Sequence, residues 1–95
     1  MTKRIYKYTA ELENEFVLEM PKGAKILTVQ IQNGFPEIWA MVHLTPKKIQ
    51  PMSKRTFSVI GTGHPIDDDE QTLEYIGTFQ MNNGNFVGHL FEKNK

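Results

Sequence analysis

Cysteine is absent from this 95-residue chain, which excludes a disulfide framework and any thiolate metal site. An Asn-x-Ser/Thr glycosylation acceptor is missing too, and the two absences together point to a reducing cytoplasm. No run of about 18 apolar residues occurs, so no membrane span is expected. Met1-Thr2-Lys3-Arg4-Ile5-Tyr6 is charged but has no apolar segment behind it, so it does not read as a secretory signal. Charge of neither sign is in excess, with 11 basic and 11 acidic side chains. Gripping duplex nucleic acid requires a basic surplus that neutralises phosphates, so duplex nucleic acid is not an expected partner.

The charges that are present form clusters. Glu11, Glu13, Glu15 and Glu19 gather in one stretch, and Asp67, Asp68, Asp69, Glu70 and Glu74 in another. Lys3, Arg4 and Lys7 oppose them, as do Lys47, Lys48, Lys54 and Arg55. Such patches read as a solvated surface or, more sharply, as a basis for head-to-tail self-association or a local anion site. The length predicts one domain over residues 1–95. A domain this small buries only about 60–65% of its unfolded surface, so its core is thin and a homo-oligomer is expected to extend it.

Hydrophobic residues recur with period 2 for most of the length, which is the period of strands. Seven segments qualify: Lys3–Thr9, Phe16–Met20, Ile26–Gln32, Glu37–Leu44, Lys54–Ile60, Tyr75–Gln80 and Asn85–Glu92. Asn33-Gly34 and Asn83-Gly84 supply the positive φ angles that tight hairpins need. Symmetric pairing across the first turn places Leu27, Val29 and Ile31 with Ile38, Ala40 and Val42 on an apolar face. Ile26, Thr28, Gln30, Gln32, Trp39, Met41 and His43 then share the mixed face. Across the second turn, Tyr75, Phe79 and Met81 are expected beside Phe86 and Leu90, with Ile76, Thr78 and Gln80 beside Val87, His89 and Phe91. Pro21-Lys22-Gly23 reads as a turn and Leu44–Ser53 as an irregular connection. Asp67 and Glu70 have the spacing of a capping box, which predicts one or two helical turns through Thr72 or Leu73. The expected fold is therefore all-β and mainly antiparallel, a small sandwich or partly closed barrel with at most one short helix.

Few residues of the chain carry specific chemistry. Gly61-Thr62-Gly63 follows a strand, but it lacks the third glycine of a dinucleotide fingerprint, and Pro65 disfavours a helix start at His64. What survives is a glycine-bracketed loop whose backbone N–H groups could form an anion-binding concavity, or a plain sharp turn. His43, His64 and His89 show no metal-ligand spacing, and the acidic run does not fit a calcium loop. No nucleophile elbow accompanies His64, so no catalytic residue, metal or cofactor is assigned. Trp39, Tyr6 and Tyr8 with the glutamines could stack a planar ligand. The residues expected to bind a ligand are Gly61, Thr62, Gly63 and His64, joined by Thr78, Gln80 and His89 on one hairpin and Trp39 and Gln30 on the other.

Three stretches carry a family resemblance: Met20-Pro21-Lys22-Gly23-Ala24-Lys25-Ile26-Leu27-Thr28-Val29-Gln30, Gly61-Thr62-Gly63-His64-Pro65-Ile66 and Tyr75-Ile76-Gly77-Thr78-Phe79-Gln80. Together they resemble a family of small proteins of unknown function common in bacteriophage genomes, over roughly Arg4 to Glu92. Gly88 departs from the resemblance, which leads one to expect a bulkier residue before His89, and the Leu44–Ser53 connection is longer than usual. The resemblance implies a phage or prophage origin and action in an infected bacterial cytoplasm, and it implies no reaction. The expected function is a non-catalytic module that captures a polar or anionic, nucleotide-like small molecule, in a phage setting a host defence signal. The alternatives are a protein-interaction or virion-associated module, and a small hydrolase using His64.

Overall fold

A computed structural model describes residues 2–46, 49–66 and 72–94. Seven strands account for the fold: β1 Thr2–Thr9, β2 Phe16–Pro21, β3 Lys25–Gln32, β4 Phe35–Leu44, β5 Met52–Gly61, β6 Thr72–Met81 and β7 Phe86–Asn94. They form two antiparallel sheets, ordered β1-β4-β3 and β2-β5-β7-β6, that do not close into a barrel. The described residues are all-β, and the two sheets pack as a sandwich. Asp67–Glu70, where a capping box was expected, lies outside the described residues. Thr72 and Leu73, expected to close its helical turns, instead begin β6.

Both hairpins form where the asparagine–glycine turns place them. Asn33 and Gly34 take φ of 53° and 84° between the paired residues Gln32 and Phe35. Asn82, Asn83 and Gly84 take φ of 55°, 57° and 86° in the second turn. Asparagine tolerates this left-handed region better than other side chains, so the loops turn without the strain a bulky residue would bring.

The register within each hairpin departs from symmetric pairing. β3 carries a bulge between Ile26 and Thr28, and β6 carries one between Tyr75 and Gly77. A bulge inserts one unpaired residue, and because side chains alternate, every residue beyond it changes face. Ile26 therefore packs inward opposite Ala40, whereas Leu27, expected in the core, is 41% exposed. Ile76 likewise packs against the core, and Tyr75 moves outward to sit opposite Phe91, 57% exposed. The two bulged strands lie at the sheet edges that meet, where Gly77 admits the Val29 side chain. A Cβ on Gly77 would come within 2.9 Å of Val29 Cγ1.

The core between the sheets holds Phe16, Met20, Val29, Ile38, Ala40, Val42, Phe57, Val59, Phe79 and Leu90. Phe57, Met20, Ile38, Leu90 and Val42 are its largest fully enclosed hydrophobic side chains. Polar groups brought inside are all paired among the described residues. Arg55 is the largest of these. Its Nε and Nη2 form a fork on Glu92, with Nη2 3.0 Å from Oε1, and Nη1 donates to the Ala24 carbonyl at 2.9 Å. Ala24 lies where the chain crosses from β2 in one sheet to β3 in the other. Arg55 thus ties the crossover to β5 and β7. The Glu92 hydrogen bonds raise the guanidinium pKa further, against the opposing effect of burial. On the other sheet, burial pushes the Tyr8 phenol up and the neighbouring Tyr6 adds to the shift.

Candidate functional site

The outer face of the four-stranded sheet carries the side chains that alternate away from the core. His89 on β7 pairs in register with Thr78 on β6 and with Ile60 on β5. The chain after β5 turns sharply at Gly61–His64, and Thr62 and His64 line this face. The His64 amide donates to the Gly61 carbonyl at 3.1 Å and the Thr62 amide to Val87 at 3.3 Å. Gly63 takes φ +86°, a conformation that a side chain would strain. The amides of Thr62 and His64 are thus engaged within the fold. Of the two readings of this loop, the anion-binding concavity and the sharp turn, these bonds describe the sharp turn.

The side chains compose a site instead. Thr62 Oγ1 lies 2.7 Å from His89 Nε2, and Thr78 Oγ1 lies 2.9 Å from His89 Nδ1. The Tyr75 hydroxyl lies 2.6 Å from Thr78 Oγ1 and completes a chain of four groups across three strands' worth of surface. A neutral imidazole has one donor nitrogen and one acceptor nitrogen, so such a chain runs in one direction or the other. In one tautomer Nε2–H donates to Thr62, whose own proton is free to meet an outside acceptor. In the other, Thr62 donates inward and its remaining lone pair accepts from outside. The tautomer of His89 therefore sets whether Thr62 offers a donor or an acceptor.

Beside this chain lies an open cleft of about 300 Å³, with apolar walls from Ile60, Ile66 and Phe91 and polar groups from Thr62, His64 and His89. A second cleft of about 350 Å³ adjoins it, sharing Ile60, His64 and Ile66. The His64 ring packs over Gly61, where an added Cβ would lie 3.4 Å from Cε1. Tyr75 and Phe91 meet edge to face with centroids 5.6 Å apart and extend the aromatic surface. The charged side chains lining the two clefts, among the described residues, are Lys93 and Glu15, which pair with each other at 2.7 Å. Among the described residues no group of three or more histidines or carboxylates could hold a metal.

The expected site residues thus separate into three places. Gly61, Thr62, Gly63, His64 and His89 line one cleft, and Thr78 joins it through His89. Gln80 and Gln30 line a separate groove with Thr78, where β3 and β6 meet. Trp39 is on the outer face of the other sheet, opposite Lys7 on β1 and Thr28 on β3, with the Lys7 ammonium 5.6 Å over its ring. Tyr75, Phe91 and Ile60 were not foreseen in the site. Tyr75 was assigned to the opposite face because nothing but Gly77 hinted at the bulge that turns it outward.

Residues 1–95 match the family described as Domain of unknown function (DUF7352). The chain belongs to that family. No curated protein and no solved structure matches it. No helix among the described residues is long and apolar enough to cross a membrane.

Proposed function

We propose that this member of DUF7352 is a non-catalytic binding module that captures a small, planar, polar molecule in the cleft under the Gly61–His64 loop. The observation that carries this reading is the Thr62–His89–Thr78–Tyr75 chain lying exposed beside apolar walls. Ligand sites combine apolar surface with a few placed polar groups, and here the polar groups can reverse their donor and acceptor sense. A nucleobase edge carries both kinds of group, and its ring suits the Ile60, Ile66 and Phe91 walls. Among the described residues the charged side chains of the clefts, Lys93 and Glu15, pair with each other and leave little to hold a phosphate, so the base rather than the phosphate is the recognised part. Among the described residues His89 faces two hydroxyls and no carboxylate, an arrangement that favours holding a ligand over driving general base catalysis. In the phage setting that the sequence resemblance implies, capture of a host defence signal in the infected cytoplasm is the role we assign to it.

The test is a thermal-shift screen with nucleobases, nucleosides and nucleotides on the intact chain. A ligand that binds only the folded state at about 100 times its Kd adds about 2.7 kcal/mol of stability. Nucleoside and nucleotide are expected to raise the melting temperature alike. His89→Ala, Thr62→Ala and His64→Ala are expected to abolish the rise, while each alters the ligand-free stability by less than about 1–2 kcal/mol, as exposed substitutions usually do. A shift that survives in all three variants, or no shift with any compound, would overturn the reading.

A further inference from the structure

The four sheet edges of this fold are not alike. β3 and β6 each carry a bulge and lie against one another at Val29 and Gly77. β2 has six residues, ends in Pro21, carries Glu19 and follows Glu13 and Glu15, so two such edges repel each other. β1 has neither a bulge nor a proline, and its only guard is the charge of Lys3, Arg4 and Lys7. It pairs with β4 without interruption from Thr2↔Leu44 to Thr9↔Glu37, and it contains neither proline nor glycine. Seven of its eight residues are exposed on both faces, including Ile5 at 60% and Tyr6 at 38%. A long, regular edge with free backbone donors and acceptors is a template for another strand.

We propose that this edge joins two copies of the chain, β1 to β1, antiparallel about a two-fold axis at Tyr6. A two-fold perpendicular to an antiparallel pair must pass between two copies of the same residue, so only a few registers exist. Centring on Arg4 sets Arg4 against itself, and centring on Ile5 sets Lys3 against Lys7. Centring on Lys7 sets Lys7 against itself. Like charges directly opposite each other destabilise a pair. Centring on Tyr6 instead places Lys3 opposite Thr9, Ile5 opposite Lys7 and Arg4 opposite Tyr8, with no like charges facing. On the inner face it sets each guanidinium against an aromatic ring and the two Tyr6 rings against each other. The basic side chains that guard the edge against other pairings thus leave this one open. The result is one six-stranded sheet, β3-β4-β1 continued by β1-β4-β3 of the second copy. This interface is on the other sheet from the ligand cleft and does not depend on it.

Absence of cysteine makes the test direct, because a single introduced thiol can bridge only to its own copy. Directly opposed antiparallel residues have Cα atoms about 4.5–5.5 Å apart, within the range of about 4.4–6.8 Å that a disulfide needs. Tyr6→Cys is expected to oxidise to a covalent dimer at twice the 11.0 kDa chain mass. Ile5→Cys is expected to bridge far more slowly, since its two copies are offset by two residues, about 7 Å along the strands. Sedimentation of the unmodified chain is expected to show a dimer, and Tyr6→Lys, which sets two ammonium groups at the axis, to weaken it at least tenfold. An unchanged cooperative thermal transition in each variant confirms that the sandwich still forms. A monomer over a wide concentration range, a dimer that Tyr6→Lys leaves intact, or equal cross-linking at Ile5→Cys would each overturn the proposal.

Discussion

Arg55→Ala is expected to cost about 3 kcal/mol of folding stability, the low end of the loss when one partner of a buried pair is removed, because Glu92 is buried and Arg55 itself only partly so. Glu92 is 6% exposed and accepts both arms of the guanidinium fork, so without Arg55 its charge has no cation beside it. Two further groups are left worse off. The Ala24 carbonyl loses the donor that ties the sheet-to-sheet crossover, and Glu74 stands directly opposite Glu92 across β6 and β7 with no positive charge between them. Replacing both partners with apolar side chains of similar size, Arg55→Met with Glu92→Leu, is expected to recover most of the loss. A pair of hydrophobes removes both desolvated charges together, whereas the single change strands one of them. Urea unfolding of the two single variants and the double variant measures this as a coupling energy. Equal stability of Arg55→Ala and the parent would show that the ion pair does not hold the crossover.

Gly88→Val is expected to destabilise the fold by roughly 2–3 kcal/mol, at the upper end of what overpacking a core usually costs. A Cβ at this position would lie 2.6 Å from Phe79 Cζ and 3.0 Å from Phe86 Cε2. Phe79 is buried at 4% exposure, and its ring packs against Phe86 with centroids 6.2 Å apart, so it cannot swing aside without opening the core. Gly88 is therefore small because the Phe79 ring lies across its backbone. The paired variant Gly88→Ala with Phe79→Leu, which removes ring atoms where the methyl arrives, is expected to be more stable than Gly88→Ala alone. Thermal unfolding followed by far-ultraviolet circular dichroism compares the set, and a Gly88→Val protein that melts with the parent would refute the packing argument.

Most strands were legible from the sequence to within two or three residues, because alternation of apolar and polar groups is a local signal. The turns were legible for the same reason: Asn33-Gly34 and Asn82-Asn83-Gly84 carry their φ preferences whatever surrounds them. Part of the cleft was legible too, since Thr78 and His89 on the second hairpin were named as polar partners of the Gly61–His64 loop, and Thr62 does meet His89. What alternation could not show was the two bulges. Each adds one residue to a pattern of period 2, so the faces assigned to Leu27 and Tyr75 were reversed while the strands holding them were correct. Trp39 was misplaced for a related reason. Its hairpin and that of His89 belong to different sheets, and no local pattern states which outer face a hairpin presents.

By itself the sequence determined the strand content, the hairpin turns and the chemistry available on each strand, because these depend on neighbours within a few residues. Only the tertiary structure decided the bulges, the burial of the Arg55–Glu92 pair and the meeting of Thr62 with His89. The Thr62–His89 and Arg55–Glu92 contacts join residues 27 and 37 positions apart, and the bulges lie where β3 and β6 meet at Val29 and Gly77. Their energies depend on where two sheets come to rest on each other, and a closely packed interior with few voids, rather than any preference of a single segment, selects that position.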